Sequence, residues 1–225
     1  MDTACLRLSI SQLVFKVMKK LLSTIALMVT IVAQTASAAT VLTGKFNVDN
    51  GYAAYLSTND AVQGDLFSSA NNWYGTFTGT ASLIANIDYY LHVYAYDQGG
   101  IAGFLGQFTL SNNDYQFANG LQSIVTNTVN WLGNNTGWGS AYNPILTDLG
   151  ANGVSPWGTG YTSSIPGSAH WIWAGDANSK DVAYFSTRIT ANNSIRSSVP
   201  EPATLALMIL GLVGMTAHRR KSVQI

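Results

Sequence analysis

The sequence predicts an all-β fold, a single antiparallel sandwich, and three observations carry that prediction. From Ala39 to about Thr190 the chain is rich in Gly, Asn, Thr, Ser, Tyr and Trp and nearly free of Lys and Glu. Such a composition supplies strand formers and turn formers but few helix formers. Within that stretch, Ile87 to Tyr96 alternates cleanly, with Ile87, Tyr89, Leu91, Val93 and Ala95 on one face and Asp88, Tyr90, His92, Tyr94 and Tyr96 on the other. Finally, no strand–helix alternation supports a parallel α/β sheet, and no repeat of fixed period supports a solenoid or propeller.

Taken in order, Val41 to Val48 alternates weakly and ends at the turn signal Asp49-Asn50-Gly51, after which Tyr52 to Leu56 reads as the next strand. Trp73 to Phe77 is a short aromatic and Thr segment bounded by Asn71-Asn72 and Gly79. After the Ile87–Tyr96 strand, Asp97-Gln98-Gly99-Gly100 makes a turn and Ala102 to Leu110 returns, which reads as a hairpin. Leu121 to Leu132 reads as a short helix or a mobile insertion, and Gly133 to Gly167 as loop. Ala169 to Ala174 and Val182 to Thr190 are the last two strands, joined by the polar turn Gly175 to Asp181. Strands of this length between turn signals fit a sandwich or barrel.

The two ends read as addresses. Met18-Lys19-Lys20 is a positive n-region, Leu21 to Val32 an apolar h-region, and Ala36-Ser37-Ala38 an A-x-A site with cleavage expected before Ala39. Residues 18–38 are thus expected to be a signal peptide, with Met18 as the expected start and residues 1–17 as an upstream mis-start. At the other end, Val199-Pro200-Glu201-Pro202 is followed by the uncharged run Ala203 to Ala217 and by His218-Arg219-Arg220-Lys221. Proline lacks the N–H and restricts its predecessor, so a helix is expected to begin after Pro202. The apolar run would reach roughly 23 Å as a helix, short of the ~30 Å hydrocarbon core. Basic clusters mark the cytoplasmic side of a span, so Lys19 and Lys20 at one end and Arg219, Arg220 and Lys221 at the other put everything between them outside the cytoplasm. The expected organisation is therefore a signal peptide at 18–38, an exported sandwich at 39–190, a linker at 191–199 and a C-terminal signal at 200–221, with a membrane helix at 203–217 and a basic tail at 218–221.

The motif Pro200-Glu201-Pro202, the short apolar run and Arg219-Arg220-Lys221, in that order at the C-terminus, resemble a PEP-CTERM sorting signal. The resemblance covers about the last 27 residues and implies export by the Sec machinery, a precursor held in the inner membrane of a Gram-negative bacterium, and processing by an exosortase, commonly in bacteria that make exopolysaccharide. Inside the domain, Phe46-Asn-Val-Asp-Asn-Gly-Tyr-Ala-Ala-Tyr55 resembles the "F-x-x-D-N-x-Y-x-x-Y" hairpin of galactose-binding-like jelly rolls. Ala169-His-Trp-Ile-Trp with Ala183-Tyr-Phe-Ser-Thr is similar to a "W-I-W … Y-F" pair in the same sandwiches. This implies a jelly roll; because Ser57-Thr58-Asn59-Asp60 stands where such hairpins close with Asn-Gly, no ligand site is carried over.

Charge and chemistry narrow the function. Between Ala39 and Val199 the basic residues are Lys45, Lys180, Arg188 and Arg196, against nine Asp, so the net charge there is 4 − 9 = −5. That excludes nucleic acid as an expected partner, since its binders need a basic stripe, and it disfavours adhesion to anionic lipid. The only cysteine, Cys5, precedes the signal peptide, so no disulfide or thiolate metal site is expected in the domain. Glu201 is the only glutamate in the chain, and the sequence carries no G-x-S-x-G elbow, P-loop or H-E-x-x-H motif. No catalytic residue is therefore assigned. His92 and His170 are expected to be structural, though the fold can bring them together. Asp49, Asn50 and Asp181 offer oxygen ligands in turns of the kind Ca²⁺ uses, without EF-hand spacing; such residues more often cap the backbone.

All six Trp and all eleven Tyr lie between residues 39 and 190. Flat rings stack on sugars and phenols hydrogen-bond to them, so the composition suits a glycan surface as well as a core. Trp171 and Trp173 are expected in the core. Asp88, Tyr90, His92 and Tyr94 form the candidate glycan face, because their strand face is polar. The reading is an exported, exosortase-processed surface or matrix protein that associates with glycan or is a structural component of exopolysaccharide; a polysaccharide hydrolase and a protein-binding envelope scaffold are the competing readings.

Overall fold

The computed structural model describes residues 39–142 and 146–192, together with Phe15. They form twelve strands and no helix beyond the single helical residue Phe15: β1 (Thr40–Asp49), β2 (Gly51–Ser57), β3 (Asp65–Ala70), β4 (Phe77–Leu83), β5 (Tyr89–Tyr96), β6 (Gly103–Leu110), β7 (Tyr115–Phe117), β8 (Ser123–Val125), β9 (Leu132–Asn134), β10 (Leu146–Ala151), β11 (His170–Ala174) and β12 (Val182–Ala191). All pairing is antiparallel. One sheet, A, runs β10-β11-β6-β1-β4 with β8 also on β6; the other, B, runs β3-β2-β5-β12-β7 with β9 also on β12. The predicted sandwich is what folds.

Its connections differ from the expected ones. Only β2–β3 and β10–β11 are hairpins; every other link among the described strands crosses from one sheet to the other. Ile87–Tyr96 and Ala102–Leu110 therefore do not pair. The turn at Asp97–Gly100, like those after Asp49 and after Ala174, arches over the edge of the core, and its glycines at φ +116° and +106° supply the bend. The 121–132 segment holds β8 and no helix, and the stretch read as loop holds β9 and β10.

The core lies between the sheets, where inward residues of β1, β5, β6 and β12 meet. Phe46, Phe104, Phe108, Trp131, Trp173 and Phe185 are fully or almost fully buried there. A smaller cluster of Leu105, Trp157, Ile165, Ala169 and Trp171 covers the outer face of sheet A. Leu105 points outward because its neighbour Phe104 points in. Trp171 and Trp173 are both core residues, as predicted. Every strand and both clusters fall within the compact unit Ala38–Ser197, which thus carries what a domain needs to fold alone.

The terminal segments fall outside the described residues. Ala36, Ala38, Pro200, Glu201, Pro202, Arg219, Arg220, Lys221 and the run 203–217 are among them. Ala39 is exposed immediately ahead of β1. Among the described residues no helix is long and apolar enough to cross a membrane.

Candidate functional site

Alternation along β2, β5 and β12 sends one set of side chains into the core and the other to the outer face of sheet B. Register aligns the outward set in rows: Gly51 beside Tyr96, Ala53 beside Tyr94 beside Tyr184, then Tyr55 beside His92 beside Ser186, then Tyr90 beside Arg188. Small residues flank the upper tyrosines. A Cβ at Gly51 would lie 2.5 Å from the Tyr96 ring, so that ring lies directly over a position only glycine can fill.

Trp138 completes the face from a distance. It reaches in from the turn between Gly137 and Gly139, both at positive φ. Its indole stacks on His92, with centroids 4.3 Å apart and planes 12° apart. It also meets Tyr184 edge-on at 4.9 Å and Tyr55 at 6.5 Å. Tyr184 lies 5.2 Å from Tyr94, which lies 6.0 Å from Tyr96. Five half-buried rings, Tyr96, Tyr94, Tyr184, Trp138 and Tyr55, thus form one continuous surface across the strands.

Beneath Trp138 sits a polar node. Asp60 Oδ1 lies 2.9 Å from His92 Nε2 and accepts from the Tyr142 hydroxyl at 2.9 Å and the Ser186 hydroxyl at 2.6 Å. His92 Nδ1 lies 3.3 Å from the Gln63 carbonyl. These contacts tie the 57–64 loop and the segment after Trp138 to sheet B. Burial pushes the Tyr142 phenol well up; the bond with Ser186 works against that rise, and Asp60 adds to it. The Tyr55 and Tyr94 phenols are also raised, first by burial and then by neighbouring tyrosines. Both of these phenols therefore stay uncharged at neutral pH.

Of the four residues read as a face, Tyr90 and Tyr94 lie there half-buried. His92 shares that side of β5 but is not open to solvent: it is fully buried under Trp138. Asp88 precedes β5, where it binds Arg188 at 2.9 Å and the Ala191 N–H at 2.9 Å. Tyr184 and Tyr55 were accessible to the same alternation rule. Trp138 and Asp60 were not, since their place depends on loops closing over the sheet.

The remaining candidates separate. His92 and His170 lie on different sheets and share no partner; His170 Nδ1 sits 2.8 Å from Asp148. Burial raises the Asp148 carboxyl, but the His170 bond, the Gly150 N–H and the His170 charge outweigh it and hold it low. Asp49 accepts from the Trp157 indole at 3.0 Å, and its carboxyl is pushed up by burial and further by the charge of Asp97, against the Trp157 bond. Asn50 Oδ1 accepts from Gln98 N, and the Asp181 carbonyl from Asp97 N. Asp176 caps its own turn through Asn178 N and Ser179 Oγ. Among the described residues no three of His, Cys, Asp and Glu gather as metal ligands. A cavity of about 600 Å³ opens between β3 and β4; its wall mixes aliphatic side chains, among them the exposed Leu66 and Ile84, with hydroxyl and amide groups, and Asp65 is the one acid on it.

Neither the curated proteins nor the solved structures include a match to this chain. The family model for the PEP-CTERM protein-sorting motif matches residues 198–221. That motif implies export, a membrane-anchored precursor and an exosortase as the processing partner. The chain is an antiparallel β-sandwich followed by a PEP-CTERM sorting motif.

Proposed function

We propose that the processed protein is a non-catalytic, glycan-associating component of the cell surface or exopolysaccharide matrix of a Gram-negative bacterium, and that the rings on sheet B are its binding face. One observation carries this reading: five aromatic rings, from three strands and one loop, form a continuous half-exposed platform. Stacking on C–H faces and hydrogen bonding from phenols are what a sugar ring offers partners for. A hydrolase would need a carboxylate pair beside its substrate. Asp60, the acid beneath Trp138, already has three partners on its Oδ1.

Glycan-array or affinity-gel binding of residues 38–197 tests it. Tyr94→Ala with Tyr184→Ala should weaken binding at least about tenfold, or roughly 1.4 kcal/mol. The same variant should lose little stability, since its rings face outward. Equal binding by the variant and the parent domain would contradict the reading.

The sorting reading has its own test. Proline cannot continue a helix and restricts its predecessor, so Pro200 and Pro202 are expected to favour an extended segment around Glu201 that a processing enzyme can engage. Pro200→Ala with Pro202→Ala should leave most of the protein as full-length precursor in the membrane fraction. Normal maturation on an immunoblot would leave the tail a plain anchor.

A further inference from the structure

A second exposed aromatic group lies on the other side of the molecule. Trp73 and Tyr74 sit in the turn before β4, and Tyr161 comes from the segment between β10 and β11. Trp73 and Tyr74 have centroids 4.7 Å apart at 30°; Tyr161 stands edge-on to both, at 5.4 Å and 89° and at 5.7 Å and 82°. Trp73 packs against the cluster that covers sheet A, while Tyr74 and Tyr161 are 63% and 44% exposed. Outward rings of this size, touching one another, are a costly surface unless something uses them.

The backbone under the three rings is fixed. Asn47, fully buried in β1, donates from Nδ2 to the Trp73 and Gly75 carbonyls, each at 3.0 Å. Asn72 Oδ1 accepts from Tyr74 N at 3.1 Å, and the Thr76 hydroxyl donates to the Tyr161 carbonyl at 2.7 Å. The rim is amide and hydroxyl, and the nearby ammonium of Lys45 is held by the Ser164 carbonyl. Lipid and hydrophobic peptide would call for aliphatic side chains like those of the β3–β4 cavity. Pre-ordered rings with a neutral polar rim instead suit a saccharide, since little side-chain entropy is lost on contact.

We infer that Trp73, Tyr74 and Tyr161 form a second saccharide-binding subsite. It faces away from the platform on sheet B, so one stiff glycan cannot occupy both. The domain would then bridge two strands and cross-link a polysaccharide network. This rests on the sheet-B reading, and the test separates the two.

Residues 38–197 are run in native gels containing hydroxyethylcellulose, laminarin, xylan, galactomannan or dextran. Beads coated with the retarding polysaccharide are then mixed with protein. The parent domain should be retarded and should agglutinate the beads. Tyr74→Ala with Tyr161→Ala should keep retardation, several-fold weaker, and lose agglutination; Tyr74→Ala alone should shift both in the same direction if the double variant melts early. If the Tyr74/Tyr161 variants agglutinate like the parent while Tyr94→Ala/Tyr184→Ala does not, the second subsite is overturned and the sheet-B face stands. No retardation of the parent in any of the gels overturns both. A dimer seen by sedimentation and lost in Tyr74→Ala would make this surface a contact for a second copy, which also overturns the subsite.

Discussion

Asp60→Ala should destabilise the domain by about 3 kcal/mol, the order of cost for removing one partner from a buried charged network. Three groups share its Oδ1, and two of them, His92 and Ser186, are buried in sheet B. At ~2–4 °C per kcal/mol for a domain of this size, melting should fall by roughly 6–12 °C. The side chain of Asp60 is 30% exposed, which is why the upper end of the buried-pair range is not expected. Asp60→Asn keeps an acceptor oxygen and should cost less than half as much. Trp138 fluorescence gives a second readout, because its stacking on His92 depends on the same loops. A loss under about 1 kcal/mol in urea melts would mean water replaces the carboxylate and the node pins nothing.

Trp173→Ala is the other large effect, at about 3–5 kcal/mol for a buried tryptophan. Trp173 is wholly buried, packs edge-on to Phe185 at 5.9 Å and donates its indole N–H to the Lys180 carbonyl at 2.8 Å. Truncation opens a cavity between the sheets and orphans that carbonyl. Its neighbour Trp171 is equally buried and stacks on Trp157 at 4.2 Å, yet its indole N–H has no partner among the described residues. The two therefore respond differently to a gentler change. Trp173→Phe loses a hydrogen bond, whereas Trp171→Phe relieves a buried unpaired donor, so Trp173→Phe should be the costlier by about 1 kcal/mol or more. Equal losses in thermal melts would remove the distinction.

The parts legible in the sequence were those where local pattern and burial agree. β5 alternates so strictly that its core face, Tyr89 through Ala95, could be read directly, and the same pattern foretold an outward tyrosine side. What failed was pairing. Asp97-Gln98-Gly99-Gly100 suits a hairpin and an arch equally, because both need only positive φ and exposed polar groups. Which one forms depends on where β6 finds its partners, and β1 outcompetes β5. Strands such as Asp65–Ala70 and Ser123–Val125 escaped notice because they are short, rich in Ser or at an edge, so half-burial leaves no periodic trace. Burial of His92 was invisible for another reason. Its side of the strand is polar in sequence, and Trp138, 46 residues further along (138 − 92), together with the 57–64 loop turns that side into an interior.

The crossing connections also govern how the domain can form as the chain emerges. β1 must wait for β4 and then β6, and β5, which pairs with the earlier β2, must wait for β12 on its other side. Sheet B is completed by the last strand of all, since β12 lies inside it, between β5 and the short β7 and β9. Loop closure over such separations has to be met before any pairing rewards it, so folding is slow and nearly all-or-none. A chain cut off before Val182 lacks the strand that joins β5 to β7 and β9 in sheet B. Completion then coincides with delivery of the tail, because the sorting motif begins seven residues after β12 ends (198 − 191). In an exported chain the last strand of sheet B and the processing signal therefore reach the far side of the membrane almost together.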